Sequence, residues 1–528
     1  MASNPLAPSW LPLPADANEL PENVWSSGAR RTASGIIEVA GVPATDLAAE
    51  FGTPLYVMDE RDVRSRAETV RAAFDREFAA IGSSATVYYA GKAFLSTEIT
   101  RWVTEAGLYI DVCTGGELAV ALAAGVDPAR LGYHGNNKSL AEIDRAVAVG
   151  VGVMVIDSEI EVGRIADAAA RHNRTQAVRV RVNSGVHAHT HEYLATARED
   201  QKFGITLADA ADVVADIRSR EQLEFRGLHS HIGSQIFESE GFAEAARRLL
   251  LLHAALLAGG PVPQLNLGGG FGIAYTSVDE ALAFDTIAER FAAIVSVECA
   301  ELGIPVPAIA IEPGRSIVGP STFTLYEVGT IKDVEVQVSD HEVSTRPSGD
   351  PEPIDVAVDE FDEPVETDMS NRTVEPSTAI RKYVSIDGGM SDNARTALYA
   401  ADYSVRIANR ASAAAAALVR IAGKHCESGD IVVQADYLPG DVTPGDLLAV
   451  PATGAYCWSL ASNYNHIGRP AVVAVRDGQA RVIVRGETEA DLLSRDAGAQ
   501  HPVAAPSGSP AQNPSAPQNS TATQNGTA

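Results

Sequence analysis

Cysteine is scarce: Cys113, Cys299, Cys426 and Cys457 are the only four in 528 residues, and none sits in a CxxC pair. This excludes a disulfide framework and a zinc site built on paired cysteines, so each thiol is judged singly. Positive charge is short as well, with 41 Lys and Arg against 69 Asp and Glu and a net charge of −28. Such a chain is poorly suited to nucleic acid or to an anionic membrane surface. No apolar run approaches the roughly 20 residues of a membrane span, and Met1 to Pro14 lacks a basic stretch followed by an apolar one. The expectation is a cytoplasmic protein with neither nucleic acid nor membrane as partner.

What is present is globular: 45% of residues are apolar, and the length exceeds one ordinary domain. Residues 1–25, rich in Pro, Ala, Ser and Asn, read as a disordered arm. Residues 26–54 hold a strand pattern (Gly35 to Val42) and a short helix ending at Gly52, outside the repeat that follows and expected to associate with the β domain. Apolar strand-like runs then recur at Thr86 to Ala90, Tyr109 to Val112, Leu131 to Tyr133, Val153 to Ile156, Ala177 to Val182, Phe225 to His229, Gln264 to Leu267 and Ala308 to Ile311, separated by Ala-rich helical stretches. Eight strand-then-helix units over about 250 residues predict a (β/α)8 barrel across 55–315, with a doubly wound sheet as the alternative.

After Ile311 the pattern turns to strands, predicting a mostly β domain over 316–332 and 379–496. Between Asp333 and Ala379 lie fourteen acidic residues and two arginines, too little apolar surface to offset ordering, so 333–378 reads as a disordered acidic insertion. The Pro/Ser/Gln/Asn-rich stretch 497–528 reads as a disordered tail.

Chemistry collects at strand ends. Lys92 follows Val87 to Gly91; alone it is a lysine whose stem snorkels to the surface. His229 and His231 end another strand without a third metal ligand at suitable spacing, and a flat imidazole also suits stacking on a ring. His187, His189 and His191 tempt as ligands but have no carboxylate or cysteine framework, so no metal is predicted. Gly268, Gly269 and Gly270 can converge backbone N–H groups on a phosphate, and the run lacks the lysine of a P-loop. Glu312-Pro313-Gly314-Arg315 pairs a carboxylate that can protonate a pyridine nitrogen with an arginine suited to a phosphate or carboxylate.

These motifs, with Cys426-Glu427-Ser428-Gly429-Asp430, resemble the fold-type III pyridoxal phosphate decarboxylases, within them the branch acting on meso-diaminopimelate. The resemblance covers roughly residues 30 to 490 apart from the acidic insertion. It implies an alanine-racemase-like barrel followed by a β domain, and conversion of meso-2,6-diaminopimelate to L-lysine and CO2, the last step of lysine biosynthesis. Carried over position by position, it makes Lys92 the Schiff-base lysine, His231 the ring-stacking residue and Asp111 a neighbour of ring and histidine. Ser234, Gly268, Gly269, Gly270 and the Glu312, Pro313, Gly314, Arg315 turn would hold phosphate and ring. Arg315, Arg395 and Tyr399 would bind the substrate carboxylate, and Tyr456 would touch both cofactor and substrate. Cys426 would be the proton donor and Glu427 the partner of the distal ammonium, both reaching in from the second subunit of a homodimer. The alternatives are an ornithine/arginine-type decarboxylase or a racemase of the same fold, or a non-catalytic regulatory paralogue. Cys426 stands where a racemase would place a tyrosine, and Lys92 and Cys426 are both retained.

Overall fold

Strands rich in Val and Ile build the centre of the molecule, and Val153–Ile156 is buried at every position. Each such side chain contributes about 1.5–3 kcal/mol by leaving water. In the computed structural model, which describes residues 4–186, 202–237, 240–338 and 378–500, eight parallel strands close on themselves. In order round the barrel they are Ala85–Ala90, Tyr109–Val112, Leu131–Tyr133, Val153–Ile156, Gln176–Asn183, Leu223–His229, Gln264–Asn266 and Ala308–Ile311. Closure comes from Ile309, Ala310 and Ile311 pairing with Ala85, Thr86 and Val87. All eight predicted strands are therefore found, and the doubly wound alternative falls. Helices between them start where a side chain can take an orphan N–H: Ser96 caps Thr97–Glu105, Thr114 caps Gly115–Ala123, and Ser139 with Glu142 forms a capping box on Leu140–Val149.

The second sheet runs in the order Ile431–Pro439, Ala416–Ala422, Thr378–Ile386, Thr322–Gln337, Leu55–Asp59, Ala471–Arg476, Gln479–Val484, with Leu447–Pro451 also paired to Thr322–Gln337. Here the barrel boundary needs correction. Leu55–Asp59 is not the first barrel strand; it pairs antiparallel with Thr322–Leu325 and parallel with Ala471–Val475. Five buried residues carry no period that tells one sheet from the other. The helix Glu60–Ala80 then crosses to the barrel, presenting Val63, Ala67, Val70, Phe74 and Phe78 as one buried stripe.

Three other boundaries shift. Over residues 4–25 the expected arm is tied down: Asn18 and Ser412 hydrogen-bond each other, Asn23 Nδ2 donates to Asp279 O (2.9 Å), and Val24 and Trp25 are buried. The acidic insertion begins later than predicted, because Asp333 to Gln337 continue the strand opposite Thr378 to Lys382, with Lys382 Nζ 2.7 Å from Asp333 Oδ1. The sheet region ends by Gly486; a second compact unit starts at Glu487 and contains the helix Glu489–Ser494, capped by Thr488. The remaining insertion (339–377), the three histidines at 187, 189 and 191, and residues 501–528 lie outside the described residues.

Candidate active site

The strand Ala85–Ala90 ends in a single turn, Gly91–Ala93, in which Gly91 and Ala93 are buried and Lys92 is exposed. Lys92 does not snorkel outward. It lines a cavity with Ala90, His231, Ser234 and Gly270, closed on the other side by Phe271, Glu312, Gly314, Arg315 and Tyr456. The turn is fixed from two directions: Ala90 N donates to Pro313 O (3.0 Å), and Ala93 O accepts Tyr456 N (2.8 Å) and Ser459 Oγ (2.9 Å). Tyr456 thus comes from the sheet-domain segment, and its φ of 67° is a left-handed conformation that a tyrosine adopts only where its surroundings hold it.

The glycine run is required by close packing. A Cβ at Gly269 would sit 2.0 Å from Glu312 O, and one at Gly270 (φ 104°) would sit 2.3 Å from Gly233 O. Gly268 N is held by Asn266 Oδ1 at 2.9 Å, and Gly269 N donates to His231 Nδ1 at 3.3 Å. That bond makes Nδ1 an acceptor. Burial, reinforced by the charge of Lys92, holds the pKa of His231 well below the usual imidazole range, so the ring is neutral and free to stack.

Deeper lies a cluster of two carboxylates and two imidazoles. Glu312 Oε1 accepts Asn266 Nδ2 at 2.7 Å and lies 3.1 Å from His229 Nε2 and 3.6 Å from His134 Nε2; His134 Nε2 is also 3.1 Å from Asp111 Oδ1. Burial pushes His134 and His229 down to about 4. Burial and then the charge of Glu312 raise Asp111 well above the carboxylate range. For Glu312 burial acts upward too, but His229, His134 and His231 outweigh it and keep this carboxyl well below its usual value. The two carboxyls are thus pushed in opposite directions, Asp111 up and Glu312 down. His134, His229 and Glu312 offer ligand atoms all within 4.8 Å of one another, a triad the sequence reading had missed for want of a third ligand. With Asn266 already bonded to the shared oxygen, the geometry is that of a hydrogen-bonded carboxylate.

Two arginines are buried here: Arg315 lines the cavity, whereas Arg395 is not among its lining residues and reaches it only through Tyr275, which contacts both. Arg315 Nη2 donates to Ser234 Oγ (2.8 Å), Nη1 to Tyr275 OH, and its guanidinium lies 4.6 Å from the Tyr456 ring centroid. Arg395 Nη1 donates to Tyr403 OH (2.6 Å), and its guanidinium lies 4.5 Å from the Tyr275 ring centroid. Among the described residues neither arginine forms an ion pair with a carboxylate.

Cys426, Glu427 and Tyr399 are exposed and do not line the cavity. The Cys426 loop is nonetheless fixed: Cys426 N donates to Asn465 Oδ1 (3.4 Å), and His425 bridges Asn465 and Ser391 at 3.1 and 2.9 Å. Sequence reasoning missed roles for His134, Asn266, Tyr275 and Tyr403. A signal existed for His134, which directly follows the buried strand Leu131–Tyr133. No sequence pattern joins Tyr275 to Tyr403.

Residues 60–319 match the family "Pyridoxal-dependent decarboxylase, pyridoxal binding domain", and residues 363–454 match "Pyridoxal-dependent decarboxylase, C-terminal sheet domain". The chain is 47% identical over 483 residues to a diaminopimelate decarboxylase of Mycobacterium tuberculosis, covering 90% of this chain and 98% of that one. It is 39% identical over 471 residues to that of Bacillus subtilis, covering 88% and 96%. The crystal structure of the diaminopimelate decarboxylase from M. jannaschii in complex with L-lysine superposes with a TM-score of 0.76 at 28% identity, covering 89% of this chain and 98% of that one. With an amine, a glycine loop and an ionised carboxylate converging at the C-terminal rim of the barrel, and with identity of this extent across both domains, the chain belongs to the diaminopimelate decarboxylase family of pyridoxal-dependent decarboxylases.

Proposed function

We propose that this enzyme removes CO2 from meso-2,6-diaminopimelate to leave L-lysine, using pyridoxal 5'-phosphate held by Lys92. The observation that carries the reading is that an amine (Lys92) and a carboxyl (Glu312) line one cavity. The residues present fit the cofactor: Lys92 suits its aldehyde, Ser234 and Gly270 its phosphate, and Glu312 its pyridine nitrogen, while the N–H groups of Gly268 and Gly269 are taken by Asn266 and His231. When bound, pyridoxal phosphate supplies a protonated ring that accepts the electron pair left by departing CO2.

The chain's own residues do the rest. Glu312 would keep the pyridine nitrogen protonated, and Asn266 and His229, at 2.7 and 3.1 Å, fix the position of Glu312 Oε1. His231, which lines the same cavity and is held neutral by burial, would stack on the cofactor ring. Arg315 and Arg395 receive the carboxylate at the far end of the substrate, with Tyr456 beside it; Tyr399, one turn after Arg395 and exposed, would have to turn inward to join them. An ornithine-type substrate has no such carboxylate and would leave two buried guanidiniums without a counter-charge, an unfavourable arrangement.

Cys426 delivers a proton to the carbon that lost CO2, and Glu427 pairs with the distal ammonium. Both are exposed and outside the cavity of their own chain, which supports a homodimer in which each subunit completes the other's site. The reaction belongs in the cytoplasm: the four cysteines are free, and no helix among the described residues is long and apolar enough to cross a membrane. The test is incubation of the cofactor-loaded protein with meso-diaminopimelate, following L-lysine and CO2. Formation of both in equal amount supports the reading; turnover of ornithine or arginine instead would overturn it.

A further inference from the structure

We propose that Tyr275 is a positioning residue for substrate selection, a bracket that holds Arg315 and Arg395 at fixed spacing while leaving both charged for the substrate's distal carboxylate. This inference rests on the decarboxylase reading above. Tyr275 is buried, 4% exposed, and touches both arginines: its hydroxyl accepts from Arg315 Nη1, and its ring faces the Arg395 guanidinium at 4.5 Å.

Its backbone is immobilised on both sides. Asp279 Oδ2 accepts Tyr275 N (2.9 Å) and Thr276 N (2.8 Å), which fixes the turn, and Tyr275 O accepts Ser404 N (3.1 Å) and Ser404 Oγ (3.0 Å). Ser404 follows Tyr403, whose hydroxyl takes Arg395 Nη1 at 2.6 Å and whose ring meets Tyr275 edge-on, centroids 5.0 Å apart. One short segment therefore fixes both the bracket and the second arginine.

The choice of residue type follows from charge. A phenol can accept a guanidinium N–H and offer its negative ring face to a second cation without neutralising either. A carboxylate in this place would form the ion pairs that the two arginines lack, and their attraction for an anion would be lost. Two buried cations held apart by an uncharged residue thus reserve their charge for an incoming anion. Arg315 bonds Ser234 on the phosphate side, whereas Arg395 sits on the sheet-domain segment with contacts to Tyr403 and Tyr275, so it is Arg395 that directs the pair to the substrate carboxylate.

L-Lysine keeps the distal carboxylate and cadaverine, the same chain with two amines, has none, so the two separate this role from general damage. The experiment is titration of holoenzyme with each, for wild type, Tyr275→Phe and Tyr403→Phe, alongside KM and kcat for meso-diaminopimelate and the affinity for pyridoxal phosphate. Loss of one charge-assisted hydrogen bond should weaken L-lysine about tenfold. Cadaverine and cofactor affinity should stay unchanged, and KM should rise with kcat nearly constant. Tyr403→Phe perturbs the bracket from its other end and keeps the test available if Tyr275→Phe does not fold. Equal weakening of both ligands, no weakening of either, or loss of cofactor affinity in place of lysine affinity would overturn the proposal. Wild-type protein that fails to release lysine would instead overturn the reaction assignment itself.

Discussion

His229 Nε2 and Glu312 Oε1 stand 3.1 Å apart at the ends of two barrel strands, and the strand between them supplies Asn266, which donates to the same oxygen at 2.7 Å. Three consecutive strand ends thus converge on one carboxylate oxygen. The barrel's parallel register is what makes this possible: His229 pairs with Asn266 and Asn266 with Ala310, so side chains from adjacent strands arrive at one level. Replacing Glu312 with Gln keeps the shape and removes the charge. The expected result is a fall in kcat of about 10²–10³-fold, the scale of one lost electrostatic contact in a closed site, with cofactor content unchanged. Steady-state kinetics on variant protein assayed for bound cofactor checks it.

The same cluster ties stability to pH. His134 and His229 titrate at about 4 when folded against an ordinary value near 6.5. Between these values the unfolded chain binds more protons than the folded one, so their stabilising effect is complete above about pH 6.5 and is lost as pH falls towards 4. A His134→Gln variant should lose stability less steeply over pH 6.5 to 5 than wild type, by about one proton's worth of slope. Thermal unfolding midpoints measured across that range decide it; parallel curves would show that His134 takes up its proton alike in the folded and unfolded chain.

Lys138 shows a second buried dependence. Its Nζ, fully enclosed, donates to Gly135 O and Val155 O, each at 2.7 Å, and to both oxygens of Glu161 at 3.2 and 3.0 Å, joining the loop after His134 to the next strand and helix. Removing one member of a buried pair strands the other charge. Lys138→Met should therefore cost about 3–5 kcal/mol, and adding Glu161→Gln should recover part of it. Urea unfolding of the single and double variants measures both.

Much of this was legible in the sequence, for physical reasons that also mark the limits. The eight barrel strands are short β-branched runs that stop at glycine or polar residues, and Lys92, Glu312 and Arg315 stand out because charged residues at such ends are exposed to a site, not to the core. The barrel range was begun too early, at residue 55, because Leu55–Asp59 pairs with Thr322–Leu325, a partner distant in sequence. His134 lay in plain view at a strand end, whereas Tyr275 gains its place only through Arg395 and Ser404 from the other domain.

The exposed position of Cys426 leads to the last prediction, since nothing within one chain carries it to the cavity that Lys92 lines. If each site combines Lys92 of one subunit with Cys426 of the other, then Lys92→Ala and Cys426→Ala homodimers are both inactive, yet a hybrid dimer holds one site with both residues intact. Random exchange of equal amounts makes half the dimers hybrids, so activity should return to about a quarter of wild type. Mixing the purified variants under conditions that allow subunit exchange, and following L-lysine release with time, gives the answer. A mixture that stays at the level of its components, while labelled subunits demonstrably exchange, would place Cys426 and Lys92 in the same chain's site and require the Cys426 loop to move.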